Sequence, residues 1–224
     1  MRRVNSPSFL SRLAVAILSG WVLLLVAGVP PVFAAEAEEL QSFLTEIQAA
    51  SDKVRSFSSE FVQERRLALF AEPVIFRGSL VVVRPDRLRW EFISPVPSVL
   101  IFRGDRGIRC NDKAPPVHFD LGADPIMRAV AEQLWLWLGG DYSRLNATYQ
   151  MEKAGPVSLR ISPKDQAMLE YITSITITFN KTSKQPEKVE IVDPGGDTTV
   201  ISFHSYVLNS KTPDVLFALC GTNE

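Results

Sequence analysis

A chain of 224 residues, 46% hydrophobic and 22% charged, is long enough to bury one sizeable core. Its formal charge of −1 excludes the clustered basic surface on which nucleic-acid affinity depends. With two histidines and two cysteines and no close-spaced Cys/His cluster, it also excludes a sequence-local metal site, and no metal or other cofactor is expected.

The N-terminus predicts a compartment. Arg2, Arg3 and Arg12 accompany an almost wholly apolar run from Leu13 to Val29, and Val32-Phe33-Ala34-Ala35 then offers small residues before Glu36. That order predicts a secretory signal peptide over residues 1–34, followed by one domain over 35–224 in the periplasm. The competing reading is an N-terminal membrane anchor, because the run approaches the ~18 residues that span a bilayer. Pro30-Pro31 and the small residues favour cleavage, which would remove three arginines and no acid and take the charge from −1 to −4. Phe217-Ala-Leu-Cys220-Gly resembles a lipid-attachment box but stands at the wrong end of the chain. In an oxidising compartment Cys110 and Cys220 either pair or remain as two buried thiols, and geometry decides between these.

Leu40, Phe43, Leu44, Ile47 and Val54 recur at helical spacing, which predicts an amphipathic helix ending near Arg55. Phe57, Ser59, Phe61 and Gln63 then begin a period of two. Gly78 to Arg84 is a β-branched run closed by Pro85, and Arg87 to Phe92 alternates strictly, with Leu88, Trp90 and Phe92 on one face. Val99–Phe102 and Gly107–Cys110 flank a hairpin turn at Arg103-Gly-Asp-Arg. Residues Asn111 to Gly122, polar and proline-containing, predict a loop. Asp124-Pro125 opens a second helix and Gly139-Gly140 stops it. Ile126, Val130, Leu134, Trp137 and Leu138 form its stripe, while Trp135 and Leu136 lie off it, so its last turn is apolar nearly all round. Further strands are expected at 145–151, 157–161, 174–179, 188–192 and 198–203, with Asp193-Pro-Gly-Gly-Asp197 as a turn and Val215 to Leu219 as a final edge strand. The fold class is α+β: one antiparallel meander with helices packed on one face.

Catalytic signals are absent. There is no Gly-x-Ser-x-Gly elbow and no phosphate-cradling glycine loop. His118 with Asp105, Asp112 and Asp120 is the nearest approach to a hydrolytic set, and acidic loop residues of this kind are ordinary surface. The expectation is a binding protein and not an enzyme. A sheet face bearing Leu88, Trp90 and Phe92, covered by helices that bring Phe43, Ile47, Trp135 and Leu136, is either a dry core or the wall of a cavity for an acyl chain.

Five segments, in order, resemble the periplasmic outer-membrane lipoprotein carrier family, LolA. They are Phe57-x3-Phe61-x-Gln63, Gly78-x-Leu80-x3-Arg84-Pro85-Asp86-x-Leu88-x-Trp90, Ser98-Val-Leu-Ile with Gly104-Asp, Leu159-x-Ile-x-Pro163-Lys164, and Gly196-Asp197-x-Thr199-x-Ile201-x-Phe203. The resemblance implies an open antiparallel half-barrel with lid helices over a hydrophobic cavity. It implies a monomeric chaperone that accepts acylated lipoproteins from an inner-membrane ABC-type release complex and passes them to an outer-membrane receptor. It places Arg84 on the arginine that ties lid to barrel, and Leu88 and Trp90 on cavity-side positions. The chain departs from the family pattern at Ile108 and Cys110, where aromatics are usual, and at Lys113 to Gly122. A carrier or sensor of another envelope lipid or glycolipid is the alternative that these departures leave open.

Overall fold

A computed structural model describes residues 31–221. The expected signal peptide lies outside them except for its last residues, which open helix α1 (Pro31–Ser51). The first strand series is β1 (Ser56–Arg66), β2 (Val74–Val83), β3 (Arg87–Ser94), β4 (Ser98–Arg103), β5 (Arg106–Asn111) and β6 (Ala114–Asp120). Helix α2 (Pro125–Leu138) follows. The second series is β7 (Tyr149–Gly155), β8 (Ser158–Pro163), a single turn α3 (Gln166–Leu169), β9 (Ser174–Phe179), β10 (Pro186–Val192) and β11 (Thr198–Leu208).

The eleven strands form one antiparallel sheet in the order β6-β5-β4-β3-β2-β1-β11-β10-β9-β8-β7. Two meanders are thus joined at the centre by the first and last strands, with Phe61 opposite Phe203. The sheet stays open, because its edges β6 and β7 pair with no further strand. The chain segment that joins those two edges contains α2, so this helix has to cross a face of the sheet. Hydrophobic alternation selects the face. Phe57, Phe61, Leu80, Val82, Leu88, Trp90 and Phe102 point inward, into one core with Phe43, Leu44 and Ile47 of α1 and Met127, Ala131 and Leu138 of α2.

Where the sequence reading differs from the structure, backbone partners explain the difference. Residues 114–120, expected as loop, are strand β6. Pro115 and Pro116 lack an N–H, and the strand accommodates them because it is an edge and its register with β5 breaks there, between the Arg109–Val117 and Asn111–Ala114 pairs. The strand 145–151 begins only at Tyr149, because 143–147 turn as a 3-10 helix. The final segment is likewise a 3-10 turn (Asp214–Phe217) and not an edge strand. Its carbonyls are taken by a buried arginine. Arg89 Nη1 donates to Leu216 O at 3.2 Å and to Leu219 O at 2.8 Å, and Nη2 to Cys220 O at 3.0 Å. Arg89 is itself paired with Glu91 at 3.0 Å. Phe217 packs there with Val99, Ile101 and Cys110, forming a second core on the convex face of the sheet.

Cys110 and Cys220 form a disulfide with Cα atoms 5.8 Å apart and a sequence separation of 110. A loop this long loses about 4–5 kcal/mol of unfolded-state entropy in the chain-entropy treatment, and measured gains usually fall below that. Cys110→Ser combined with Cys220→Ser is expected to lower unfolding free energy by about 3 kcal/mol in urea titration. An unchanged midpoint would mean that Arg89 and Phe217 hold the tail without the bond.

Candidate functional site

Along β3 the inward side chains grade from sealed to open. Leu88 is fully buried, Trp90 is 4% exposed and Phe92 is half-buried. Leu88 stands opposite Phe102 near the β2–β3 turn, where the helix ends close over the sheet. Towards the other rim the packing separates and a cavity of about 870 Å³ opens between the sheet and α2. Its floor is aromatic and aliphatic. Trp90 lies 4.6 Å from Phe61 and, edge on, 5.7 Å from Trp137 by ring centroids, and Phe92, Ile175, Ile191 and Ile201 extend the wall. The volume falls in the upper part of the roughly 300–1,000 Å³ range of small-molecule pockets. Gln63, Arg65, Glu132, Asp193 and Asp197 make the remaining lining polar.

The apolar last turn of α2 follows from its position between two apolar surroundings. Met127, Ala131 and Leu138 are buried in the core, while Val130, Leu134 and Trp137 line the cavity. The expected stripe is therefore divided, and Ile126, its first member, is 74% exposed beside the cavity. Asp124 caps the helix as its sequence predicts, accepting from the N–H groups of Ile126 at 3.1 Å and Met127 at 3.0 Å.

Of the candidate cavity residues, Trp90, Phe92 and Leu136 line the opening. Leu88, Phe43 and Ile47 belong to the packed core beside it, with Phe43 edge on to Phe179 at 5.9 Å. Trp135 is half-buried and packs at the core's margin. The walls from β9, β10 and β11 were legible only as alternating strands, because nothing in a period of two distinguishes a face that packs from one that lines a space.

Arg84 sits at the opposite rim from the opening. Its Nη1 donates to Ser51 O at 2.7 Å and Val54 O at 2.9 Å, and its Nη2 to Leu138 O at 3.1 Å. Ser51 and Leu138 are the last residues of α1 and α2. One guanidinium therefore satisfies carbonyls that each helix end leaves without an internal partner, and it meets the negative ends of both helix dipoles. The Phe57 ring lies 5.8 Å from its central carbon. Burial pulls the Arg84 pKa below its ordinary value, opposed by Tyr142, Asp52 and Tyr206. An arginine keeps its charge regardless. The donors of Arg84 thus go to these carbonyls and not to Asp86, two residues on, with which a strand-end arginine could have paired.

Gly140 makes the approach possible. Its φ is +81°, and a Cβ there would stand 2.0 Å from Ser51 Oγ and 2.5 Å from Arg84 Nη2. Tyr142 completes the corner, its hydroxyl donating to Trp137 O at 2.9 Å and its N–H to Gln48 Oε1 at 3.1 Å.

Two buried donors on the cavity wall are unusual. The indole N–H groups of Trp90 and Trp137 have no hydrogen-bond partner among the described residues. An unmade buried bond costs about 1–3 kcal/mol, and both nitrogens are enclosed by protein rather than presented to the cavity. Among the described residues no group of three His, Cys, Asp or Glu side chains is placed to hold an ion. Asp120, from the hydrolytic set considered above, lies 3.9 Å from Arg106 on an exposed edge and accepts the Gly122 N–H.

An open half-barrel with an apolar cavity and helices fastened across it defines a class of ligand-binding proteins. Residues 52–220 match the family model for the outer membrane lipoprotein carrier protein LolA, and the chain belongs to that family. No curated protein matches the chain at a significant level. One solved structure shares the fold and others are similar to the chain. An uncharacterized conserved protein from Thermus thermophilus has a TM-score of 0.52 at 8% identity, covering 83% of this chain and 96% of that one. A LolA superfamily protein from Nitrosomonas europaea has a TM-score of 0.40 at 13% identity, covering 78% and 96%. A putative outer membrane lipoprotein-sorting protein domain from Vibrio parahaemolyticus has 0.44 at 13%, covering 79% and 94%. Families of this fold bind and carry ligands and are not enzymes, and membership points to lipid or lipoprotein binding in the cell envelope.

Gly140→Ala is expected to lower stability by about 2–3 kcal/mol, since it adds both a strained φ and a clash at the Arg84 corner. Denaturant unfolding measures this, and loss of less than about 0.5 kcal/mol would mean that the corner relaxes freely. Burial pushes the Tyr142 and Tyr206 phenols well above their ordinary value, with Arg84 lowering both in part. The unfolded chain releases these protons near pH ~10 while the folded chain keeps them, so stability is full below that pH and falls as pH rises through it. Thermal unfolding across about pH 8 to 11 should show that fall, and Tyr142→Phe should make it shallower.

Proposed function

We propose that the protein is a periplasmic lipoprotein carrier that shelters acyl chains in the cavity beneath α2 on their way from the inner to the outer membrane. The observation that carries this reading is the 870 Å³ cavity with a largely aromatic and aliphatic wall, covered by α2, whose last residue meets the end of α1 at one arginine. Burial of acyl carbons is worth about 0.8 kcal/mol per CH₂, so chains leave water for such a wall spontaneously. Release needs an opposing term. Charge-assisted bonds from Arg84 to the helix ends, each contributing about 1.5–3 kcal/mol net, supply it if filling the cavity lifts α2. The loaded state is then held less tightly than the wall alone would dictate.

The positions at which the chain departs from the family pattern do not face this cavity. Ile108 and Cys110 lie on the convex side with Val99 and Phe217, and β5 presents Gly107 inward, under Phe119. They therefore do not weigh against acyl cargo.

Adding the protein to spheroplasts and identifying what leaves the membrane bound to it tests this function. Acylated lipoproteins are expected in the complex. Free lipids or glycolipids alone would assign the cavity to another envelope lipid, and an empty protein, where a known carrier works, would overturn the reading. Arg84→Leu is expected to retain cargo binding and to lower transfer to an outer-membrane receptor by roughly tenfold or more, the equivalent of one lost charge-assisted bond.

A further inference from the structure

The cavity opens at the rim of the sheet away from Arg84, and that rim carries exposed apolar side chains on several separate turns. The register defines the rim: Ser174 lies opposite Val192, Val192 opposite Thr198, Thr198 opposite Arg66, and Arg65 opposite Val74. The β1–β2 hairpin extends beyond this line. At its tip Leu69 is 92% exposed and Phe70 62%, with Val74 and Ile75 also exposed at its base. Ile93 and Val96 flank the neighbouring β3–β4 turn, and Tyr171, three residues before β9, is 74% exposed. Tyr171 and Arg65 also line the cavity, so tip, rim and opening are continuous.

The tip has a fixed position. The Ala68 N–H donates to Asp197 Oδ1 at 2.7 Å, which fastens it to the β10–β11 turn, and the Phe70 N–H donates to Leu67 O at 2.9 Å. Holding two large apolar side chains in water is unfavourable, and a loop tip normally carries small or polar residues. The shape also argues against a protein partner. Stable protein interfaces use about 800 Å² of continuous surface per side, whereas these residues stand apart on separate turns around an opening. Separate apolar points with cationic side chains behind them suit the boundary between headgroups and acyl chains. Arg65, Arg66 and Arg77 are exposed at the base of the hairpin, where lipid phosphates would lie. Glu64 offsets one of them, at 3.8 Å from Arg66, Glu72 is exposed nearby, and Asp193 and Asp197 stand on the adjacent β10–β11 turn, so the rim carries both signs as a zwitterionic headgroup layer does.

We propose that the β1–β2 hairpin is a membrane prong: Leu69 and Phe70 insert into a phospholipid bilayer and set the cavity mouth against its surface. A lipid chain then passes between bilayer and cavity without crossing water. The docking rests on the rim alone and not on what the cavity carries, so vesicle binding would survive a failure of the lipoprotein reading.

The test is flotation of the purified protein with vesicles of phosphatidylethanolamine and phosphatidylglycerol. The protein is expected to float with them, and L69E combined with F70E to reduce the bound fraction roughly tenfold or more. Val207→Glu replaces an apolar residue, 51% exposed, at the opposite rim and is expected to leave binding unchanged. Leu69→Trp keeps the tip apolar, and its emission is expected to shift to the blue and to be quenched by brominated acyl chains. A protein that stays in solution, a tip variant that floats like the parent, or an equal loss in Val207→Glu would overturn the proposal.

Discussion

Arg84 holds two helix ends with one side chain, and the rest of the site depends on that constraint. Helix C-termini carry carbonyls that must find donors, and here two of them face the same cation across the rim of an open sheet. The arrangement demands a glycine at 140, because no side chain fits between Ser51 and the guanidinium. It also fixes the angle at which α2 crosses the sheet. At the Arg84 end the helices and the sheet close into a dry core. At the other end the same helix stands away from the sheet, and the difference is the cavity.

The two helices are held differently. α1 is fastened by its apolar face and by ion pairs to the sheet side, Lys153 with Glu39 and Lys184 with Glu46, the latter at 2.7 Å. Such exposed pairs contribute little singly. Their presence still sets α1 apart from α2, which meets the sheet mainly through apolar contacts and the Arg84 bonds at its end. α2 is also the helix that lines the cavity. A guest that displaces it works against Arg84 as well as against those apolar contacts, and under the proposed function this couples the latch to the cavity. The membrane prong would complete it by placing the opening where acyl chains are found.

Much of this was legible in the residues. The Asp124-Pro125 start and Gly139-Gly140 stop of α2 are local chemistry and stand where the sequence puts them. The strict alternation of β3 marks its inward face, and the family resemblance singled out Arg84. What failed to show depends on distant partners. Residues 114–120 form a strand because β5 supplies a ladder that two prolines would not advertise. The 3-10 turn at 214–217 exists because Arg89, far away in sequence, takes its carbonyls. Phe43, Ile47 and Leu88 are apolar in the same pattern as Trp90 and Phe92, yet they pack while the others line a space. Periodicity reports which face is buried; the gap arises from how far the latched helix stands above it, which no local pattern encodes.

The central claim is that filling the cavity releases the helix ends from Arg84. Amide hydrogen exchange, compared between the free protein and the protein loaded with a diacylated lipid, tests it most directly. The account predicts faster exchange on loading at the last turn of α2 and around Gly140 and Tyr142, with the central strands β1 and β11 unchanged. Loading that leaves this corner as protected as before, or protects it further, would contradict the coupling between latch and cavity.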